Sequence, residues 1–315
     1  MKKLIGGSKQ IQQVHAAIGR LASSGTNIVI TGEPGTGKSV VAELLHETGV
    51  NTRKPFVKLD VAGIDEIRLR SIVQSILSSQ EFLNPVTSDH GNFHLPDGAT
   101  LIMDEVDSSS IPAQSIIADF IDGMSTSVAK IRLILLLSDA VRNLVKKEKI
   151  LPVLAKLTRQ WDTIHMPSLR ERVEDIPDLI EHFVLETARE MALGDIVIDV
   201  NAVAVLVRKE WKGNVRELKT FIERAMLLSE NKETFMLPET LLDEQSEVAQ
   251  MLERIDQGVE FAIDRSMELI EKRILERVLR KFEFNQSRAA RFLRITEDTL
   301  RYRMKKLGIH NVQHP

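Results

Sequence analysis

At 315 residues the chain is long enough for two or three ordinary domains, each with its own core, which excludes a single small module. It has no cysteine, so neither a disulfide framework nor a thiolate metal site can form, and its eight histidines show no ligand spacing. The net charge of −3 hides an asymmetry: residues 266–315 carry twelve Lys/Arg against six Asp/Glu, so a +6 tail follows a −9 body. A basic tail on an acidic body points to a polyanionic partner. No stretch approaches about 18 uninterrupted apolar residues, and the N-terminus lacks the apolar run of an export signal. A cytoplasmic protein with no membrane contact is expected.

In chain order, apolar spacing predicts a helix over residues 11–21 and a strand over 28–30. Residues 32–39 then read Gly32-Glu33-Pro34-Gly35-Thr36-Gly37-Lys38-Ser39, the full GxxxxGK[ST] pattern, and a helix is predicted over 40–45. Glycines between a strand and a helix let several backbone N–H groups point at one anion. Lys38 adds positive charge for the outer phosphates, and Ser39 offers a hydroxyl to Mg²⁺. All eight are candidate ligands of a nucleoside triphosphate, expected to be ATP with Mg²⁺.

Further strands are predicted at 56–59, 100–103 and 131–137. Short, nearly continuous apolar strands alternating with helices predict an α/β fold, a parallel sheet covered on both faces. The strand at 100–103 ends in Asp104-Glu105, 65 positions after Ser39. There Asp104 would hold Mg²⁺ through water and Glu105 would polarise the attacking water. From about residue 167 the pattern turns helical, with helices predicted at 175–191, 203–211 and 215–229. A polar, acidic stretch at 239–247 reads as a connector, and the last fifty residues are helical again.

Three stretches carry a resemblance. Residues 98–105, ending in Asp104-Glu105, are similar to GGTLFLDE. Pro167-Ser168-Leu169-Arg170-Glu171-Arg172, followed by Glu174-Asp175-Ile176-Pro177, resembles PPLRERxEDIP, and Trp211-Lys212-Gly213-Asn214-Val215-Arg216-Glu217-Leu218 resembles WPGNVREL. With the P-loop, these look like the AAA+ domain of the NtrC-like enhancer-binding proteins, activators of sigma-54 RNA polymerase, over about residues 5–308. The resemblance implies an AAA+ P-loop subdomain at 1–165, a helical lid at 166–243, a linker at 244–265 and a small all-α helix-turn-helix domain at 266–315. It implies that Arg216 is a lid sensor reaching the terminal phosphates, and that copies associate, as an AAA+ ring and as a dimer of C-terminal domains.

Residues 285–309 read as two short helices about a tight turn, with Ala289, Ala290 and Leu293 packing on Ile295 and Leu300, and Thr296 as N-cap of the second helix. The N-terminal residues of a second helix meet base edges in a helix-turn-helix, which makes Thr296, Glu297, Asp298 and Arg301 candidates for base readout on double-stranded DNA. Arg288, Arg303 and Lys306 are candidates for phosphate contacts. The segment resembles the Fis-type helix-turn-helix, with Arg294 where that family has Gly; a left-handed Arg there would cost about 1 kcal/mol. The stripe Leu269, Ile270, Ile274, Leu275, Val278 and Leu279 ahead of it suits either a paired copy or an internal core.

Departures from the family bear on mechanism. Its sigma-contacting loop, GAFTGA, reads Gln80-Glu81-Phe82-Leu83-Asn84-Pro85 here, with Phe82 matching and the Thr gone. A second loop shortens to residues 122–127. Asp60 replaces the Asn that restrains the catalytic Glu and would repel Glu105. The two arginines that reach a neighbour's ATP in the family fall on Pro152 and Thr158. Arg159 lies one position later, about 100° round a helix. Such an arginine is worth about 10³–10⁵-fold in phosphoryl transfer. The polar sensor after residues 131–137 becomes Leu137-Ser138. The expected function is an ATP-binding, sequence-specific DNA-binding transcription regulator with weak or absent hydrolysis that is not a conventional sigma-54 activator; RNA polymerase is a candidate partner, and contact with sigma-54 is not expected. Alternatives are an ATP-hydrolysing sigma-54 activator with a diverged loop, and a DNA-localised remodeller of another protein. With only about thirty residues ahead of the P-loop, no sensory domain is expected there.

Overall fold

The computed structural model describes residues 3–78, 95–124, 130–229, 233–237, 282 and 284–309, together with positions 268, 271, 272, 274, 275, 278 and 279. The loop at 80–85 and the linker at 244–265 lie outside these residues. The chain divides into two compact units, Met1–Met236 and Leu237–Pro315.

The first unit begins with α1 (Lys9–Ala22), started by Ser8, whose side chain accepts from the Ile11 amide, and buried along Ile11, Val14, Ile18 and Leu21. The order continues β1 (Ile28–Thr31), α2 (Lys38–Glu47), β2 (Phe56–Asp60), α3 (Glu66–Ser78), β3 (Thr100–Asp104), α4 (Ile111–Met124), β4 (Arg132–Leu137), α5 (Val141–Lys146), α6 (Pro152–Leu157) and β5 (Asp162–His165). The five strands form one sheet in the order β2-β3-β4-β1-β5, every pair parallel. Strand alternation divides β4 between two cores. Leu133, Leu135 and Leu137 pack with α3 and α4, while Ile134 and Leu136 pack with α1 and α2.

Four differences from the sequence expectation have physical causes. Strand β5 is absent from the predicted set because, at the sheet edge, only Ile164 of its four residues is buried, so it carries no apolar run. Helices α3 and α4, implied only as crossovers, are full-length covering helices. Residues Asp122 to Met124, expected in a shortened loop, are the last turn of α4. The helix predicted at 203–211 is α8 (Val200–Arg208), which begins three residues earlier because the Asp199 carboxylate caps it through the Asn201 amide.

After β5 come two one-turn helices and then α7 (Ile176–Glu190), α8 and α9 (Asn214–Leu228), with a two-residue pairing of β6 (Val197–Ile198) and β7 (Thr234–Phe235). Trp211, nearly buried, donates its indole N–H to the Leu206 carbonyl at 3.0 Å and so fixes the corner between α8 and α9.

In the second unit α10 (Gln286–Phe292) and α11 (Glu297–Lys306) form the two-helix motif. Asn285 caps α10 through the Arg288 amide, and Thr296 caps α11 through the Thr299 amide. Arg294 turns the chain between them at φ 56°, the left-handed conformation expected of it. Ala289, Ala290, Leu300 and Met304 form the core with Leu275, Val278 and Leu279. Half of the apolar stripe that suits a paired copy is therefore internal core, whereas Ile274 is half exposed.

Candidate functional site

The turn from β1 to α2 is built on glycines that nothing else can replace. Gly35 has φ 78°, and a Cβ added to it would lie 2.2 Å from the Gly213 carbonyl oxygen. A Cβ on Gly32, at φ 146°, would lie 2.5 Å from the Met166 carbonyl oxygen. Gly37 starts α2 with no side-chain cap, so the first amides of the helix have no capping acceptor. Lys38 Nζ donates to the Gly32 and Glu33 carbonyls at 2.6 and 3.1 Å, spanning the turn. Burial lowers the Lys38 pKa from its ordinary value, and the carboxylates of Asp104 and Asp107 oppose that shift.

Opposite the turn, the carboxyl end of β3 presents acids. Asp104 Oδ2 lies 3.5 Å from Ser39 Oγ, which brings the two candidate metal-holding residues together. Lys58 on β2 stands between them, its ammonium 2.7 Å from Asp104 Oδ2 and 3.0 Å from Ser39 Oγ. Glu105 is exposed and left-handed at φ 57°, a strained backbone position for a residue with a side chain. Asp60 lies directly across the β2–β3 register from Asp104. Sequence reasoning did not single out Asp107. Its carboxylate is buried and accepts from the Ser138 amide at 3.0 Å and from the Ser138 hydroxyl, so β3 and β4 are tied at the site.

The lid closes on the turn through a buried asparagine. Asn214, fully buried at φ 56°, accepts from the Leu169 amide at 2.7 Å and donates to Glu33 Oε2 at 3.1 Å and to the Pro34 carbonyl at 3.0 Å. Glu33, expected at the nucleotide, is instead held by Arg170 at 2.8 and 2.5 Å. Those hydrogen bonds pull its carboxyl below the usual range. Arg216 enters through its backbone, whose N–H donates to the Gly35 carbonyl at 3.2 Å. Arg172 is 1% exposed and donates to the Thr36 carbonyl at 2.8 Å, while its Nε has no acceptor among the described residues.

These groups surround a cavity of about 820 Å³ lined by Pro34, Gly35, Thr36, Gly37, Lys38, Ser39, Asp104, Glu105 and Arg216, with Asp107, Ser138, Arg172 and Lys219 added by the structure. Gly32 and Glu33 lie outside that lining and shape the turn from behind. The cavity is of a size that takes a nucleotide, with a basic, glycine-turned end for phosphates. At the two positions on which the resemblance places the family's arginines, Pro152 opens α6, and Thr158 is buried with its hydroxyl on the Leu154 carbonyl at 2.9 Å. Arg159 is exposed.

On the second unit, Arg288, Arg301, Arg303 and Lys306 are all exposed. Arg301 bonds Gln286 Oε1 and Glu297 Oε1, both at 3.0 Å, which fixes its guanidinium across the two helices. Arg303 pairs with Glu271 at 2.7 Å and Lys306 with Glu268 at 2.8 Å. Asp298 is 94% exposed, and the Thr296 hydroxyl is engaged in its cap.

Among the described residues no helix is long and apolar enough to cross a membrane, and no group of three His, Asp or Glu is arranged to hold a metal ion. A nucleotide-bound Mg²⁺ takes few protein ligands, so a pair such as Ser39 and Asp104, 3.5 Å apart, is of a kind that could hold it.

A parallel P-loop sheet, a helical lid and a two-helix DNA-binding motif define an AAA+ regulator fused to a helix-turn-helix. Comparison with known families assigns residues 4–134 to the sigma-54 interaction domain, 170–253 to the AAA+ ATPase lid domain and 266–307 to the Fis family of bacterial regulatory proteins. Over most of its length the chain is homologous to NtrC and XylR. It is 28% identical to the DNA-binding transcriptional regulator NtrC of Escherichia coli, over 97% of this chain and 70% of that one. It is 27% identical to the transcriptional regulatory protein XylR of Pseudomonas putida over 96% of this chain, but spans only 56% of XylR. The crystal structure of NtrX from Brucella abortus in complex with ATP shares the fold, with a TM-score of 0.63 and 23% identity, over 98% of this chain and 70% of that one.

Proposed function

We propose that this chain is a transcription regulator that binds ATP in the cavity between the P-loop and the lid, binds double-stranded DNA through residues 266–315, and turns ATP over slowly if at all. The observation that carries it is a contrast within one unit. The phosphate-binding turn is intact and closed by Asn214, while Pro152 and buried Thr158 occupy the positions of the family's trans-acting arginines. ATP is supported by the glycine cradle, by Lys38, and by the orphaned Arg172 Nε at the cavity wall. NtrX, of the same fold, has been crystallised with ATP. In this reading Lys38 and the α2 amides hold phosphates, Arg216 senses the outer phosphate from the lid, and Ser39 and Asp104 hold Mg²⁺. Glu105 orients water, and Asp107, tied to Ser138, fixes the end of β3. Bound Mg²⁺ supplies charge neutralisation at the phosphates. Nucleotide then governs self-association and thereby DNA occupancy.

For DNA, Arg288 and the ion-paired Arg303 and Lys306 meet phosphates, and Thr296, Glu297, Asp298 and Arg301 face base edges. Binding of sheared genomic duplex, followed by fluorescence anisotropy over a salt series with and without ATP, tests this. The expected results are a steep loss of affinity with salt, a slope shallower by about 0.9 in Arg288→Ala, and tighter binding with ATP. Salt-independent or undetectable binding contradicts the DNA reading, and identical curves with and without ATP contradict nucleotide control. A second reading, an ATP-hydrolysing sigma-54 activator, draws on the matched sigma-54 interaction domain at 4–134; it requires turnover that rises as copies assemble.

A further inference from the structure

Resting on the nucleotide site proposed above, we infer that Lys58 is a built-in counter-cation that competes with Mg²⁺ for the Ser39–Asp104 pair, so that this chain binds ATP with little need for the divalent ion. Lys58 lies on β2, whose register pairs it with Ile102, two residues before Asp104. A long side chain there reaches diagonally along the neighbouring strand to the carboxylate. Its ammonium, 2.7 Å from Asp104 Oδ2 and 3.0 Å from Ser39 Oγ, contacts both groups that a phosphate-bound Mg²⁺ would address. Those two groups are themselves 3.5 Å apart. Divalent binding must displace an ammonium already neutralising the carboxylate; Lys58 does not itself line the cavity, but its ammonium is bonded to two residues that do, Ser39 and Asp104, and so adds positive charge beside the phosphate end. Asp104 is mostly shielded, with 16% of its side chain exposed, whereas Lys58 at 40% can swing out to solvent, so the exchange needs no rearrangement of the sheet.

The test measures dissociation constants of a fluorescent ATP analogue, once in EDTA and once in excess Mg²⁺, for the unmodified protein, Lys58→Met, Lys58→Gln and Lys58→Arg. The unmodified protein and Lys58→Arg should bind with similar constants in the two conditions. In both neutral variants the EDTA constant should rise about fivefold, the scale of one partly exposed ion pair, while the Mg²⁺ constant stays the same or falls. Equal weakening in both conditions would make Lys58 an ordinary nucleotide ligand, and no change in either would make the pair inert; both overturn the inference and leave the ATP site standing. Failure of the unmodified protein to bind in either condition overturns both. Thermal melts of the four proteins confirm that each is folded.

Discussion

Replacing Arg132 with methionine is expected to cost the first unit about 3 kcal/mol or more, a fall of roughly 6–12 °C in melting temperature for a unit of this size. Arg132 opens β4 and is 3% exposed in the middle of the sheet. Its guanidinium donates to the carbonyls of Leu21, at 2.7 Å, and Ala22, at 3.4 Å, which end α1, to Leu45 near the end of α2 at 3.3 Å, and to Thr26 at 3.1 Å. One cation therefore caps the negative ends of two helices and fixes both to the same strand. Burial lowers its pKa from the usual value, but an arginine so far above neutrality stays charged. Methionine fills much of the same volume and removes this donor from the Ala22, Thr26 and Leu45 carbonyls, while the Leu21 carbonyl keeps its bonds from the Ser24 amide and hydroxyl. A melt of Arg132→Met within about 2 °C of the unmodified protein would contradict this account of the core.

Lys38→Ala is expected to weaken ATP binding by about 10–100-fold, the range of one charged hydrogen-bonding group lost from a partly buried site. The lysine has two tasks: it spans the turn through the Gly32 and Glu33 carbonyls, and it presents charge to the cavity. The glycine geometry and the Asn214 clasp persist without it, so the fold should survive and the variant should melt close to the unmodified protein. Calorimetric titration with ATP checks the first part and a thermal scan the second. Unchanged affinity would place nucleotide elsewhere.

The parallel sheet was legible because its three inner strands, β1, β3 and β4, are buried on both faces and so leave apolar runs, as in Arg132–Leu137, where all six residues are buried. The edge strand β5 leaves no such run. Lys38, Ser39 and Asp104 were legible for a related reason, since a phosphate-binding turn and a strand-end acid are local patterns. What the sequence did not disclose are contacts between distant segments. Asn214 and Glu33, 181 positions apart, meet because the lid folds back onto the turn. Asp107 and Ser138 meet because β3 and β4 are adjacent, and Lys58 reaches Asp104 only across a strand pair. Arg170 and Arg172 stood in a quoted motif, yet nothing in their spacing says that one holds Glu33 and the other Thr36. At Arg294 local reasoning sufficed, because a left-handed turn is a property of one residue.

The measurement that tests the central claim most directly is ATP binding and steady-state hydrolysis by the purified chain over a protein concentration series, with Lys38→Ala as the control. Saturable binding that Lys38→Ala weakens, with slow turnover per protomer that stays flat across the series, is the predicted result. It follows from the proposed reading, in which the family's neighbour-reaching arginines fall on Pro152, at the start of α6, and buried Thr158. Turnover per protomer that climbs with concentration would contradict it. Such a climb would mean that another exposed cation, Arg159 or Arg142, completes the neighbour's site, and that the chain hydrolyses ATP as an assembled activator.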